Sequence, residues 1–312
     1  MNIVFMGTPD FAVPVLDAIV RNGYTVNGVI TQPDRPSGRG NKLTKCPVKI
    51  YAEEKGLPVY QYERLRRQEG LDKLRELAPD IVVTAAFGQI LSRKLLEVPR
   101  MGTINVHASL LPKHRGSAPI NRAIECGDRY TGITTMLTDA GVDTGMMLLQ
   151  SRTEIGENET AGELSDRLSL MGAELIIETL KKYIAGELTP IAQNEEEATH
   201  EPMLSRDDAK IDWDRGADKV SCFIRGMSPW PCAWTQAGEN VLKVYNACAR
   251  NDVDASGAEP GTVLVSSAKA GLIVACGENA VELLSIQASG AKRMDAKAYL
   301  AGKTIPAGTR LV

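Results

Sequence analysis

The stretch Ile104-Asn105-Val106-His107-Ala108-Ser109-Leu110-Leu111-Pro112 reads as a short buried strand that stops abruptly. Side chains alternate along a strand, so Asn105 and His107 project to one side and Val106 to the other, into a core. Ser109 and Pro112 then break the pattern. Upstream, the apolar runs 3–6, 26–31 and 81–86 have the same buried-strand character, and amphipathic stretches at 11–21, 52–55, 71–77 and 119–126 separate the strands or follow them. Strands alternating with helices imply an α/β fold, a mostly parallel sheet covered on both faces. Runs 133–137 and 147–149 add a strand pair. A long helix is expected over 161–182, opened by a capping box of Thr160 and Glu163.

Downstream the pattern changes. Residues 186–205 are poor in core formers and read as a connector, with Gly186, Pro190, Asn194, an acidic run at 195–197 and Pro202. Beyond it, β-prone runs at 241–245, 262–265, 272–275 and 281–285 are separated by polar turns, with one helix candidate at 295–300. Short strands at this spacing suggest a small barrel. The expected division is a first domain over 1–188, a linker over 189–205 and a second domain over 206–312.

With 312 residues, 43% of them hydrophobic and 24% charged, the chain is long enough for two cored domains. The net charge of −3 argues against indiscriminate coating of nucleic acid. It divides into −4 over residues 1–205 and +1 over 206–312, so any nucleic-acid contact must come from a local patch. The opening residues run straight into a strand, without a basic region or a small-residue cleavage site. No apolar run approaches the ~20 residues that span a bilayer. A cytoplasmic protein is expected. The six cysteines form no Cys-x-x-Cys pair and none stands beside a histidine at ligand spacing, so no metal site is expected.

Ligands bind beyond the carboxyl ends of strands in an open parallel sheet, which is where Asn105 and His107 lie. An amide and an imidazole side by side there can both donate to one developing oxyanion. The second candidate stretch is Asp139-Ala140-Gly141-Val142-Asp143-Thr144-Gly145, a tight loop after a strand. Its Asp143 could orient His107 and favour its charged form, or could serve only as a turn residue bonding its own backbone. The third is the segment 34–49, which carries Arg35, Arg39, Lys42, Lys45 and Lys49 with no acid after Asp34. Pro36, Gly38, Gly40 and Pro47 disfavour regular structure over much of it. A basic loop suits phosphate contacts, and a solvated surface loop is the alternative. Other motifs fail: there is no Gly-x-Ser-x-Gly elbow, and Gly302-Lys303-Thr304 lacks its first glycine because position 297 is lysine.

The run from Asn105 to Pro112, its continuation through Lys113-His114-Arg115-Gly116-Ser117-Ala118-Pro119-Ile120, and the Asp-x-Gly-x-Asp-Thr-Gly of 139–145 together resemble the folate-dependent formyltransferases. Within them the chain is similar over essentially its full length to the branch acting on methionyl-tRNA. That branch shares Gly7-Thr8-Pro9-Asp10-Phe11, the loop at 31–40, Ile211-Asp212-Trp213 and the block 225–231. The resemblance implies a Rossmann-like formyltransferase domain with a mostly parallel sheet, followed by a β-barrel of the oligonucleotide-binding (OB) type. It implies 10-formyltetrahydrofolate as co-substrate, initiator methionyl-tRNA as acceptor, no metal, no membrane and a monomer. It implies catalytic roles for Asn105, His107 and Asp143, a folate pocket shaped by Ser109, Leu110, Leu111 and Pro112, and a tRNA contact at Arg39. Lys42 and Lys45 of the same basic loop are expected to join that contact. The expected route is direct amine attack, with the proton relayed by His107 or a bound water.

Overall fold

The computed structural model describes residues 1–37 and 42–312. In chain order the first elements are β1 (Asn2–Gly7), α1 (Ala12–Arg21), β2 (Thr25–Thr31), β3 (Arg35–Ser37), β4 (Lys42–Thr44), α2 (Pro47–Glu54), β5 (Val59–Gln61) and α3 (Gln68–Leu77). There follow β6 (Ile81–Ala85), α4 (Arg93–Leu96), β7 (Thr103–His107), β8 (Arg115–Gly116), α5 (Pro119–Cys126), β9 (Tyr130–Leu137), β10 (Met147–Glu154) and α6 (Ala161–Ile184). The remainder is β11 (His200–Glu201), α7 (Ala217–Gly226), β12 (Ala233–Ala237), β13 (Asn240–Arg250), β14 (Val263–Ser267), β15 (Gly271–Ala275), β16 (Ala280–Ala288), β17 (Met294–Asp295) and α8 (Ala296–Gly302).

The large sheet has the order β10-β9-β7-β6-β1-β2-β5. Pairs β1/β2, β1/β6, β2/β5 and β6/β7 are parallel, and β9 runs antiparallel to β7. The chain starts in the middle, builds outward through β2 and β5, then returns to the other side of β1 with β6. The order therefore reverses between β1 and β6, and the loops after β1, β6 and β7 open at that switch point. On one face Val4, Met6, Ile30 and Val82 pack with Leu71 and Leu74 of α3 and Leu95 of α4. On the other, α6 comes so close that a Cβ at Gly172 would stand 3.0 Å from Val106 Cγ1 and 3.7 Å from Val15 of α1. Val106 thus faces α6, as strand alternation requires, and Asn105 and His107 face away from it.

Helix α6 begins where the capping box places it. The Thr160 N–H donates to Glu163 Oε2 at 2.9 Å, and the Thr160 hydroxyl donates to the same oxygen at 2.7 Å. These bonds hold the Glu163 carboxyl below the usual glutamate range. Helix α2 starts five residues before its expected beginning, at Pro47. At the first helical position the missing N–H of proline costs nothing, so Pro47 initiates the helix rather than preventing it.

The described residues group into two units. The first comprises Met1–Pro119, Thr131–Thr153 and Ser165–Glu201, and the second Ile120–Tyr130, Glu154–Leu164 and Pro202–Val312. Residues 189–201, expected in the linker, lie with the first unit because β11 pairs parallel with β8 and Ile191 bridges Met147. Residues 120–130 and 154–164 lie with the second. There, Asn121 Nδ2 donates to the Gly226 carbonyl at 2.7 Å and Gly162 N–H to the Ser228 carbonyl at 2.9 Å.

The second unit is built on an antiparallel sheet of order β12-β13-β16-β15-β14, with β17 against β16. Val244, Leu272, Val274, Val281, Leu283 and Ile286 are buried in its core, and the Ser221 hydroxyl of α7 donates to the Ala247 carbonyl of β13 at 2.9 Å. Residues 309–312 join the two borders. Gln236 of β12 and Val312 exchange both backbone hydrogen bonds, Leu311 N–H donates to the Gly261 carbonyl at 2.8 Å and Val263 N–H to the Thr309 carbonyl at 2.8 Å. The sheet is thereby closed into a ring, which hides its exposed edges.

Candidate active site

Asn105 and His107 lie at the carboxyl end of β7, beside β6. In register, Thr84 of β6 stands next to Asn105. The Thr84 hydroxyl donates to Asn105 Oδ1 at 2.7 Å. With its oxygen occupied, the amide presents Nδ2 as a donor that has no partner among the described residues. His107 is buried. Its Nε2 lies 2.9 Å from the His114 carbonyl, and its Nδ1 lies 3.6 Å from Asp143 Oδ1. Both ring nitrogens thus face acceptors, an arrangement that a doubly protonated ring satisfies. The sequence pattern suggests two donors side by side. The structure supplies one free amide and a neighbouring imidazole turned toward a carbonyl and a carboxylate.

Asp143 sits in the left-handed region, with φ of +54°. Its Oδ2 accepts the Gly116 N–H at 2.8 Å. Within the same loop the turn role falls to Asp139, whose Oδ1 accepts the Gly141 N–H at 3.0 Å and the Thr144 hydroxyl at 2.7 Å. Asp143 is therefore directed at its neighbours in space, and Asp139 at its neighbours in sequence. The bend at His114 (φ +56°) and Gly116 (φ +110°) brings a carbonyl to His107 and an N–H to Asp143 from a single turn. A Cβ at Gly116 would collide with the Glu201 carbonyl of β11, so the close pairing of β8 with β11 requires glycine there.

Gln193 adds a further brace. Its Nε2 donates to the carbonyls of Asp143 and Gly145, each at 2.8 Å, and its Oε1 accepts from Arg115 Nε at 2.9 Å. Arg115 is fully buried and forms a bidentate pair with Glu195, at 2.9 and 2.8 Å. The guanidinium holds the Glu195 carboxyl below its ordinary range.

The expected folate-pocket residues form a rigid turn after β7. Ser109 Oγ donates to the Lys113 carbonyl at 2.6 Å, Leu111 N–H donates to Thr134 Oγ1 at 3.1 Å, and the Thr134 hydroxyl donates to the Ser109 carbonyl at 2.7 Å. Ser109, Leu111 and Pro112 are buried, and Leu110 is half-buried. Of the basic loop, Arg39 lies outside the described residues. Lys42 is exposed on β4, and Lys45 pairs with Glu53 at 2.6 Å. Lys49 is bound 2.7 Å from Asp34 Oδ2 and 2.7 Å from Gln61 Oε1, so it fixes the loop's base. Lys49 and Gln61 together hold the Asp34 carboxyl below the usual range.

Three supporting features escape the sequence reading. Thr84 looks like one more β-branched strand residue. Gln193 and Glu195 look like polar linker. The segment 86–91 after β6 gives no motif, yet its Phe87 carbonyl accepts from Thr8 Oγ1 at 3.3 Å and from Gln32 Nε2 at 3.1 Å, tying the ends of β1, β2 and β6 together. Ile90 in that segment is 65% exposed, an apolar surface beside the switch point.

Among the described residues, no helix is long and apolar enough to cross a membrane, and no group of three or more His, Cys, Asp or Glu side chains is placed to hold a metal ion. The formyl transferase family model matches residues 1–180, and the model of the formyl transferase C-terminal domain matches residues 203–304. The chain is 48% identical over 313 residues to the methionyl-tRNA formyltransferase of Caldanaerobacter subterraneus, covering 100% of both chains. It is 45% identical over 311 residues to that of Geobacter metallireducens, covering 100% of this chain and 98% of the relative. Its fold is similar to that of a solved sugar 3N-formyl transferase, with a TM-score of 0.69 at 16% identity over 94% of this chain and 99% of the other. Two matched models cover most of the chain and full-length relatives share nearly half of its residues, so the chain belongs to the methionyl-tRNA formyltransferase family.

Proposed function

We propose that this chain transfers the formyl group of 10-formyltetrahydrofolate to the amino group of methionyl-initiator-tRNA, yielding formylmethionyl-tRNA for translation initiation. The observation that carries this reading is the approach of His107 Nδ1 to Asp143 Oδ1, 3.6 Å, beside an Asn105 amide whose oxygen is already taken by Thr84. The amino nitrogen attacks the formyl carbon, and the carbonyl electrons move onto oxygen. Asn105 Nδ2 donates to that oxyanion. His107, with acceptors at both nitrogens, carries a positive charge when doubly protonated, and Asp143 stabilises that charge. The bond from the formyl carbon to the folate nitrogen then breaks. The proton lost by the attacking amine reaches the leaving nitrogen through His107 or a water.

In this reading residues 1–188 carry the catalytic groups and 206–312 form the OB-type tRNA-binding part, while of the expected linker 189–205 the residues 189–201 belong with the first unit. The turn Ser109-Leu110-Leu111-Pro112 frames the folate pocket, and Arg39, Lys42 and Lys45 contact the tRNA backbone. The enzyme works as a cytoplasmic monomer.

The direct test is transfer of labelled formyl from the folate onto methionyl-tRNA, with uncharged tRNA as control. Label is expected on the aminoacyl group alone. Asn105→Ala and His107→Ala are expected to remain folded and to lose about 10²–10³ in turnover. Absence of transfer to the charged tRNA, or near-normal turnover in both variants, overturns the reading.

A further inference from the structure

Gln193 lies in a stretch whose composition is that of a spacer, yet each polar group of its side chain is engaged. Both amide hydrogens go to carbonyls of the catalytic loop, those of Asp143 and Gly145, each at 2.8 Å. Its oxygen accepts from Arg115 Nε at 2.9 Å. A side-chain amide can support a loop this way only if its own position is fixed, and here it is. Arg115 is buried, its two terminal nitrogens are held by Glu195 two residues further on, and its backbone N–H donates to the Thr199 carbonyl at 2.9 Å.

The loop it supports needs holding. Asp143 adopts φ of +54°, which a non-glycine residue keeps only when its surroundings determine it. Gly145 leaves no slack, since a Cβ there would collide with the Leu137 carbonyl. The carboxylate has one backbone donor of its own, Gly116 N–H at 2.8 Å, and that residue is fixed by the pairing of β8 with β11. Residues 193–201 therefore meet Asp143 twice, through Gln193 on its backbone and through the β8 turn on its side chain.

We propose that residues 193–201 are a strap that sets the position of Asp143 against His107, and that Gln193 is a positioning residue for formyl transfer. This rests on the catalytic role given to Asp143 above. Gln193 acts through Asp143 and touches no substrate. Its removal lowers turnover and leaves both Michaelis constants in place, because the binding surfaces are elsewhere. Displacement of a catalytic group on the order of 1 Å costs up to about 10²-fold in rate.

The experiment is a double-mutant cycle in the full chain, with Gln193→Leu, Asp143→Asn and the double variant. Turnover, Michaelis constants for folate and methionyl-tRNA, and the pH profile of turnover are read for each. Gln193→Leu is expected to lower turnover about tenfold or more with both Michaelis constants unchanged, and to alter the pH profile in the same sense as Asp143→Asn. The double variant is expected to match Asp143→Asn alone, the signature of two residues acting as one unit. Gln193→Glu, which keeps an oxygen for Arg115 but sets a second oxygen against two carbonyls, is expected to fall similarly. It carries the same comparison if Gln193→Leu does not fold. Full turnover in the folded Gln193 variant, or losses that multiply in the double, overturns the inference while leaving the role of Asp143 standing. Unimpaired turnover in Asp143→Asn overturns the reading on which it rests.

Discussion

The Thr84 hydroxyl reaches across from β6 and donates to Asn105 Oδ1 at 2.7 Å, so a residue with no chemistry of its own anchors the Asn105 amide. In Thr84→Val a methyl group replaces the hydroxyl at nearly equal volume, and the amide loses its fixed orientation. A neutral hydrogen bond contributes about 1 kcal/mol net, which corresponds to roughly fivefold. Turnover is expected to fall by about that factor, with Thr84→Ser restoring it. Steady-state kinetics of the two variants checks this, and equal rates in both remove Thr84 from the site's support.

Helix α6 depends at its first turn on Thr160 and Glu163. Thr160→Ala removes the hydroxyl, which donates to Glu163 Oε2 and accepts the Glu163 N–H at 3.4 Å, and keeps only the bond from the Thr160 N–H to Glu163. The expected cost is about 1 kcal/mol of stability. Thermal unfolding followed by circular dichroism measures it, and an unchanged transition shows that the cap contributes nothing to the folded chain.

Asp34 gives the pH dependence of the basic loop's base. Its carboxyl is held low first by the hydrogen bond from Lys49 and then by that from Gln61. A carboxyl whose folded value is depressed stabilises the fold above its unfolded value, and the contribution is lost as the pH falls through the lower folded value. The wild-type chain is expected to melt above Asp34→Asn from neutrality down to about pH 4, with the gap closing below that. Melting temperatures of both proteins across this range decide it, and a gap that widens in acid contradicts the assignment.

Lys42 and Lys45 are neighbours in sequence but not in circumstance. Lys45 is engaged by Glu53, whereas Lys42 has no ion-pair partner among the described residues. A cation already paired gains less from a phosphate. Lys42→Ala is expected to raise the Michaelis constant for tRNA more than Lys45→Ala does, and to lower the slope of its salt dependence by about one. Arg39→Ala is expected to weaken tRNA use as well. Titrations of salt against each variant test this, and a tRNA constant that ignores both substitution and salt excludes the loop from the contact.

What could be read from the sequence follows the range of the forces involved. The apolar runs of β1, β2, β6 and β7 are legible because strands buried on both faces need continuous hydrophobic residues. The start of α6 is legible because its cap closes within four residues. Asn105 and His107 are legible because strand alternation aligns them, and Asp143 because its loop is marked by glycine. By contrast, β5, β8 and β11 are two or three residues long and owe their existence to partners far along the chain. Helix α7 buries Val220, Phe223 and Ile224, yet the motif at 225–231 draws attention away from that spacing. Pro47 reads as a breaker until its place at a helix start is known. Thr84 and Gln193 carry no local signal, since a threonine in a strand and a glutamine in a polar run are both ordinary. Their roles exist only in the folded chain.

The pinning of residues 191–201 also determines where this molecule can be dissected. The composition invites a cut near 188, after the last turn of α6, as though two modules were strung on a tether. A half-molecule ending there would shed Gln193, Glu195 and β11, leaving the Arg115 guanidinium buried without its counter-charge and Asp143 without its brace. The first unit keeps its residues through Glu201, while 120–130 and 154–164 group with the second, so no single cut separates the two units.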